Sequence, residues 1–445
     1  MSVHNSQSNV DEAGSSEGLR REIGLFGLSS NLINAIIGSG IFVLPAVVAG
    51  GLGAAGILSY LFCGFLIALI MMCFAEAGSK ITVTGGAYAY IETAFGKFFG
   101  FLTMNLFLFG SSLMAIAAVA NALADQLTVV TPLFENLGFR SAFFILIFGG
   151  LATVNVIGVK SGITLVKFLT IAKLAPLLIL IFWGMGGVVY EQLMWDEIPT
   201  MAQIGQVSMI LIFAFQGAEN SMSVSGEVRN PQKTIPRAIL LSFTVVLLIY
   251  ITIQQIAQGV LGICLPDFED APLAEVAGMT IGPAGLTLLI VGGAISMFGY
   301  VSGDVLNMPR VIFRASKDEV IPLKFLSLVH PKFATPYVAV ILFATFGCFF
   351  AITGEFKSLA LLSSTSSLLI YLGVALAVIK LRYSHPSGSF KIPFGWLVPL
   401  LAIGTIVWLL SNAKLKDLSA MGIALGILSL LYLVISLLKS RPGGN

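Results

Sequence analysis

The chain has 445 residues, of which 57% are hydrophobic and 10% charged, with a formal net charge of +2. A soluble domain carries about 25% charged residues. This composition, with a mean hydropathy of +0.96, therefore excludes a soluble globular protein and leaves a polytopic membrane protein, for which the distribution of charge matters more than so small a sum.

Residues 1–20 are polar and rich in Ser, Asn and Gly, a composition that predicts a disordered tail. They lack the short apolar core and cleavage site of a signal peptide. A membrane-spanning helix needs about 20 apolar residues. Twelve such stretches follow, at 24–50, 54–78, 98–124, 140–159, 162–186, 203–224, 235–263, 284–310, 336–353, 358–381, 395–412 and 418–438, and residues 439–445 form a second short tail. The alternating pattern of a membrane barrel is absent, so these spans are predicted to be helices.

Placing the amino terminus in the cytoplasm puts all 24 basic residues on or near that side except Arg140, Lys357, Lys414 and Lys416, which fall outside, and Lys173, which lies within a span. The acidic loops around Glu191–Glu197 and Asp267–Glu275 then face outward. The reverse topology would invert the positive-inside bias, so both termini are expected in the cytoplasm. Short tails and compact loops suggest a prokaryotic inner membrane.

Span 1 reads Asn34-Ala35-Ile36-Ile37-Gly38-Ser39-Gly40-Ile41-Phe42-Val43-Leu44-Pro45. Each glycine costs a helix about 1 kcal/mol relative to alanine. Five spans later, span 6 carries Phe213-Ala214-Phe215-Gln216-Gly217-Ala218-Glu219-Asn220-Ser221, an apolar segment interrupted by glycine and polar residues. Two interrupted helices at corresponding places in two halves point to an inverted-repeat transporter. Backbone groups freed at membrane depth are tolerated only where they line a cavity or find partners. The N–H groups around Ser39 and Gly40 start a half-helix and favour an anion. The carbonyls near Ile36, Phe213, Ala214 and Gln216 favour a cation. A small zwitterion matches both poles. Small-residue helix packing is the bland alternative for Gly38-Ser39-Gly40, and the second break outweighs it.

Ionisable residues inside a membrane are functional hypotheses by default. Lys173 lies about eleven residues into span 5, roughly 16 Å deep at 1.5 Å per residue. Glu219 follows the second break, where its carboxylate is suited to bracing freed N–H groups or to taking a proton. Asp304 sits on span 8. The cysteines Cys63, Cys73, Cys264 and Cys348 show no metal or redox spacing, and His4, His330 and His385 lie in a tail or in loops. No cofactor or metal is expected. No nucleophile–histidine set or nucleotide loop is present, so an enzyme is disfavoured. A pore would call for a filter or a ring from symmetric subunits, which two unlike broken helices do not supply.

These residues resemble the amino acid–polyamine–organocation (APC) superfamily of transporters from about Arg21 to Leu438. The motifs that carry the resemblance are Gly38-Ser39-Gly40-Ile41-Phe42, Ala75-Glu76 with Gly85-Gly86-Ala87-Tyr88-Ala89-Tyr90, Phe215-Gln216-Gly217-Ala218-Glu219, Glu227-Val228-Arg229-Asn230-Pro231 with Ile235-Pro236-Arg237, and Arg310 with Lys317-Asp318 and Pro322. Thr82 stands where the family usually has proline, and Glu319 where it usually has glycine. The resemblance implies an all-α membrane fold of the LeuT type. Two inverted five-helix repeats, about 24–186 and 203–381, are followed by two further helices at about 395–438. It implies that Ser39 and Gly40 hold a substrate carboxylate, that the carbonyls of Ile36, Phe213, Ala214 and Gln216 receive its ammonium, and that the Phe213 ring closes over it from outside. It also implies that Lys173, in a T-x-x-K setting like that of sodium-independent members, replaces a sodium ion and takes part in coupling.

Counting back from Asp318 sets Asp304 where related arginine/agmatine antiporters face the substrate side chain. The span 3 positions opposite, Gly110, Ser111 and Ala115, are small. A cationic side chain would suit that carboxylate; pairing with Lys173 or Arg310 and a watery vestibule are the alternatives. The expected function is sodium-independent amino acid transport, by exchange or with protons, with an amine or polyamine carrier as the alternative. The partners are a small amino acid and the lipid bilayer, with self-association as a homodimer left open.

Overall fold

The computed structural model describes residues 23–81, 86–157, 163–195, 197–221, 228–317, 320–321, 323–384 and 390–440. The two tails and Thr82, Gly85, Glu227, Asp318, Glu319 and Pro322 of the motifs lie outside these residues.

The described chain is helical from end to end. Its helices are α1 (Leu25–Ile36), α2 (Gly40–Leu52), α3 (Ile57–Lys80), α4 (Ala87–Phe95), α5 (Lys97–Asn105), α6 (Met114–Thr128), α7 (Leu137–Ile157), α8 (Ile163–Gly184), α9 (Met201–Leu211), α10 (Ala218–Ser221), α11 (Pro231–Leu261), α12 (Pro272–Ile281), α13 (Pro283–Lys317), α14 (Tyr337–Thr353), α15 (Phe356–Ser384), α16 (Leu397–Ser411) and α17 (Leu415–Ser440). No strand occurs among the described residues. One isolated bridge joins Ile23 to Val228, where the Arg229 N–H donates to the Ile23 carbonyl at 2.9 Å. Six helical stretches are long and apolar enough to cross a membrane: 40–80, 97–128, 137–157, 233–268, 283–317 and 356–384. Shorter apolar helices of 10–17 residues include Leu25–Ile36, Met201–Phe215 and Tyr337–Thr353.

Local chemistry explains the ends that matter. Thr200 caps α9 through a reciprocal box: its hydroxyl accepts from the Gln203 N–H at 3.3 Å, and Gln203 Oε1 accepts from the Thr200 N–H at 2.8 Å. Two N–H groups with no partner in the first turn are thereby satisfied. Between α5 and α6 the chain makes a π-helical stretch, Leu106–Leu113. Its wider turn changes the register of every side chain that follows.

The core runs through the middle of the molecule, around α2, α3, α6, α13 and α15. Tyr60, Phe74, Phe215, Tyr250 and Tyr371 are all but fully buried there. One ion pair is deep. Glu76 on α3 is bound by Arg382 on α15 at 2.7 and 2.6 Å, and its Oε2 also accepts from the Ile392 N–H at 3.2 Å. The guanidinium lies over the Trp396 ring at 4.8 Å. This clasp closes α3, α15 and the turn before α16 at the predicted cytoplasmic end. Removing one partner of such a pair strands the other charge, at about 3–5 kcal/mol. Arg382→Met is therefore expected to lower the thermal unfolding midpoint in detergent by several degrees. The double variant Glu76→Gln/Arg382→Met is expected to recover part of that loss, as read by tryptophan fluorescence on heating.

Candidate substrate site at two broken helices

The two predicted interruptions are breaks in the structure. α1 ends at Ile36, Ile37 to Ser39 are non-helical, and α2 begins at Gly40. α9 tightens into a short turn, Ile212–Phe215, and Gln216 then takes an extended conformation (ψ 166°). Gly217 turns the chain with φ +104°, a region closed to side-chain-bearing residues. α10 resumes at Ala218.

The breaks touch. A Cβ on Gly40 would lie 2.7 Å from the Cα of Ala214, and one on Gly217 would collide with the Ala35 carbonyl oxygen. Glycine at both places is what allows two backbones to meet without side chains between them.

The freed groups divide by sign. The N–H groups of Gly38, Ser39, Gly40 and Ile41 make no backbone hydrogen bond among the described residues; the first such bond beyond the break is Phe42 N–H to the Ser39 carbonyl. The Ser39 hydroxyl beside them is buried and has no partner among the described residues. The carbonyls, in contrast, are served from three other helices. Lys173 Nζ on α8 donates to the carbonyls of Asn34 at 2.7 Å and Ile37 at 2.9 Å. Tyr250 Oη on α11 lies 2.9 Å from the Ala214 carbonyl and 3.3 Å from that of Ile36, bridging the two breaks. Ser296 on α13 reaches the Gly38 carbonyl at 3.5 Å. Each carbonyl has two lone pairs, so Ile36 and Ala214 keep one apiece for a further donor. On the other break, Glu219 Oε2 accepts the Gly217 N–H at 3.0 Å.

A chamber of about 10 Å³ lies between the breaks. Ile36, Gly38, Ser39 and Gly40 form one wall, Phe213 and Gln216 another, and Val119 and Tyr300 complete it. That volume is about one water molecule, so an amino acid fits only when the surrounding helices part. Gln216 is held to α15: its Nε2 donates to Ser364 Oγ at 3.3 Å, and its Oε1 accepts from Ser363 Oγ at 2.8 Å. The Phe213 ring meets Phe356 edge to face at 5.8 Å and 87°. Phe356 also lines a larger cavity of about 680 Å³ on the predicted external side, with Asp125, Asp270, Glu355 and Arg140 in its walls. Burial pushes the Asp270 carboxyl up from its ordinary value; Arg140 pulls it back, and Glu269 and Glu135 push it further up.

The chamber thus collects Ile36, Ser39, Gly40, Phe213 and Gln216, while Ala214 lies outside its lining, its carbonyl held by Tyr250. Lys173, Glu219, Asp304 and Ser111 do not line it. Asp304 is buried one helical turn from Tyr300, and its Oδ2 accepts from Ser112 Oγ at 3.0 Å. Ser111, the residue expected opposite, pairs instead with Ser367 at 2.9 Å. The π-helical stretch is the physical reason for this shift of one residue. The room expected at Gly110 is taken by Ser366. Among the described residues Lys173 and Asp304 do not pair, and Arg310 Nη1 donates to the Leu306 carbonyl on its own helix.

Tyr250, Ser296, Tyr300 and Ser112 were not singled out from the sequence. Tyr250 had a signal: a tyrosine in an apolar span needs a partner for its hydroxyl, and the freed carbonyls needed a donor.

Comparison with known proteins gives the family. The family model described as amino acid permease matches residues 23–416. The chain belongs to that family, and with it to the APC superfamily of amino acid transporters. It is 27% identical to the serine/threonine exchanger SteT of Bacillus subtilis (strain 168) over 422 residues, 92% of this chain and 94% of the relative. It is 26% identical to the branched-chain amino acid permease BcaP of the same organism, over 88% of each chain. It is 26% identical to the human large neutral amino acids transporter small subunit 2, over 94% of this chain and 81% of the relative.

Hydrogen bonds from a charged donor contribute about 1.5–3 kcal/mol each. Lys173→Met is expected to abolish measurable uptake and lower the unfolding midpoint, since among the described residues no other side-chain donor reaches the Asn34 and Ile37 carbonyls. Tyr250→Phe removes one neutral hydrogen bond shared between two carbonyls. It is expected to leave expression intact and to raise KM for substrate roughly three- to tenfold, measured as initial uptake rates in proteoliposomes.

Proposed function

We propose that this chain is a sodium-independent transporter of neutral amino acids that works by alternating access. The observation that carries the reading is the pairing of poles in one chamber. Gly38, Ser39 and Gly40, with N–H groups free of backbone partners and the buried Ser39 hydroxyl, line it from the first break, and Ile36 with its free carbonyl lone pair lines it beside Phe213 and Gln216 of the second break. A zwitterionic amino acid answers both. An amine or polyamine leaves the N–H pole and Ser39 unanswered, at the cost of desolvated donors.

Several features support the finer points. The Lys173 ammonium binds the helix-break carbonyls where an ion would otherwise be needed, which supports transport without sodium. Asp304 lies outside the chamber lining and Tyr300 stands in it, which supports a neutral side chain over a cationic one. The relatives reported above carry serine and threonine, branched-chain or large neutral amino acids in their names. Within a twelve-span, two-repeat arrangement with both termini in the cytoplasm, substrate enters from the larger cavity. The Phe213–Phe356 pair closes over it, and movement of the broken helices opens the inner path.

Uptake of radiolabelled serine and leucine into proteoliposomes, in sodium-free medium, tests this. The expected result is saturable uptake, unchanged when sodium replaces choline, and inhibited by unlabelled neutral amino acids but not by lysine or putrescine. A requirement for sodium, or preferential competition by lysine or putrescine, overturns it.

A further inference from the structure

We propose that Asp304 is a proton-binding site of the transport cycle, holding a proton while the core is closed and releasing it when the inner path opens. This rests on the transport reading above and adds to it the driving ion.

The argument starts from how Asp304 is partnered. It is more than nine-tenths buried, and among the described residues its one hydrogen bond comes from the neutral hydroxyl of Ser112. Packed on α13 are α6, α7, α8, α12, α14, the π-helical stretch Leu106–Leu113 and a short turn, Lys324–Ser327. Among the described side chains the charged groups they bring are committed elsewhere or remote, and Lys324 is exposed to solvent. Lys173 of α8 is bound to the break in α1. Asp125 of α6 and Arg140 of α7 are bound to each other at 2.6 Å, by the large cavity. Glu275 lies in the first turn of α12. On α13 itself, Arg310 donates to Leu306, and Arg314 and Lys317 lie in its last turn. The charged group within electrostatic reach of Asp304 is another acid, Glu219 of α10. The Tyr300 hydroxyl lies within reach of both carboxyls, and the Tyr371 hydroxyl within reach of Glu219 and Tyr300.

Two buried carboxyls thus share a setting that contains hydroxyls and no paired cation among the described residues. An ionised carboxylate without a cation is strongly disfavoured at membrane depth, and two such charges facing one another are worse. A proton on Asp304 removes that penalty while the site is dry. The same carboxyl sits one turn beyond Tyr300, toward the predicted cytoplasmic end. Movement of the broken helix that carries Glu219 away from α13 on that side would admit water beside Asp304. The O–H bond of the carboxyl then breaks, the proton passes to water, and the carboxylate left behind keeps the Ser112 hydroxyl as its donor. Opening the inner path for substrate and discharging the proton become one event.

The test uses proteoliposomes of the full chain with a pH-sensitive dye inside, following internal acidification and labelled serine uptake in the same vesicles. The wild type is expected to acidify the lumen as serine enters. Asp304→Asn is expected to lower the ratio of protons to serine moved at least tenfold. Ser112→Ala removes a donor that favours the carboxylate, so its pH profile of uptake is expected to move to higher pH by about one unit; this variant serves if Asp304→Asn fails to fold. Serine uptake without acidification in the wild type overturns the proton site alone. So does an unchanged proton-to-serine ratio in Asp304→Asn, or an unchanged pH profile in Ser112→Ala. Absence of any amino acid uptake in the wild type overturns the transport reading and the proton site together.

Discussion

A helix that stops inside a bilayer leaves N–H and C=O groups where water cannot answer them, and each unanswered group costs several kcal/mol. The core of this protein is arranged around that constraint at residues 34–41. Three helices distant in sequence each send one side chain to the break: Lys173 from α8, Tyr250 from α11 and Ser296 from α13. All three are donors, and all serve carbonyls. The N–H groups are left for something else. That asymmetry makes the break a candidate binding site, because what remains unsatisfied has a defined sign and direction.

The second break is fitted to the first. Glycine at positions 40 and 217 lets Ala214 and Ala35 approach to backbone contact, and Tyr250 joins the carbonyls of Ile36 and Ala214 across the gap. Motion of one break is therefore felt at the other without an intermediary. The neighbouring polar residues hold the closed state by hydrogen bonds that are individually modest. Gln216 rests on Ser363 and Ser364, and Ser111 rests on Ser367. Such bonds are worth about 1 kcal/mol net, a scale that suits a seam meant to open. The Glu76–Arg382 clasp, bidentate and buried, is of the stronger, charge-assisted kind.

Much of this was legible in the sequence. Among the described residues each predicted stretch falls on a helix or a broken helix, six of the helical stretches being long and apolar enough to cross a membrane, because an apolar run of membrane length has few other options. The interruptions at Gly38-Ser39-Gly40 and Gln216-Gly217 were readable because glycine and polar residues there contradict everything around them. What was missed depended on register and on third parties. Counting along span 3 chose Ser111 to face Asp304, but the π-helical stretch Leu106–Leu113 brings Ser112 there instead. No pattern of apolar residues announces a widened turn. Tyr300 as a chamber wall also escaped notice, since an aromatic on an apolar helix looks like core until the opposing break is in place. α4 and α12, the short helices at Ala87–Phe95 and Pro272–Ile281, fell between the predicted spans because they are too short to read as membrane segments.

The central claim is that the two breaks present an anion-binding and a cation-binding pole to one zwitterion. The most direct measurement is thermal stabilisation of the purified protein in detergent by serine, by its amide and by its N-acetyl derivative. The amide removes the carboxylate and the acetyl group removes the ammonium, while the side chain stays the same. The account predicts that serine raises the unfolding midpoint in a concentration-dependent way and that neither capped form does so at the same concentration. Equal stabilisation by the amide or by N-acetylserine would show that one pole is not used, and would contradict it.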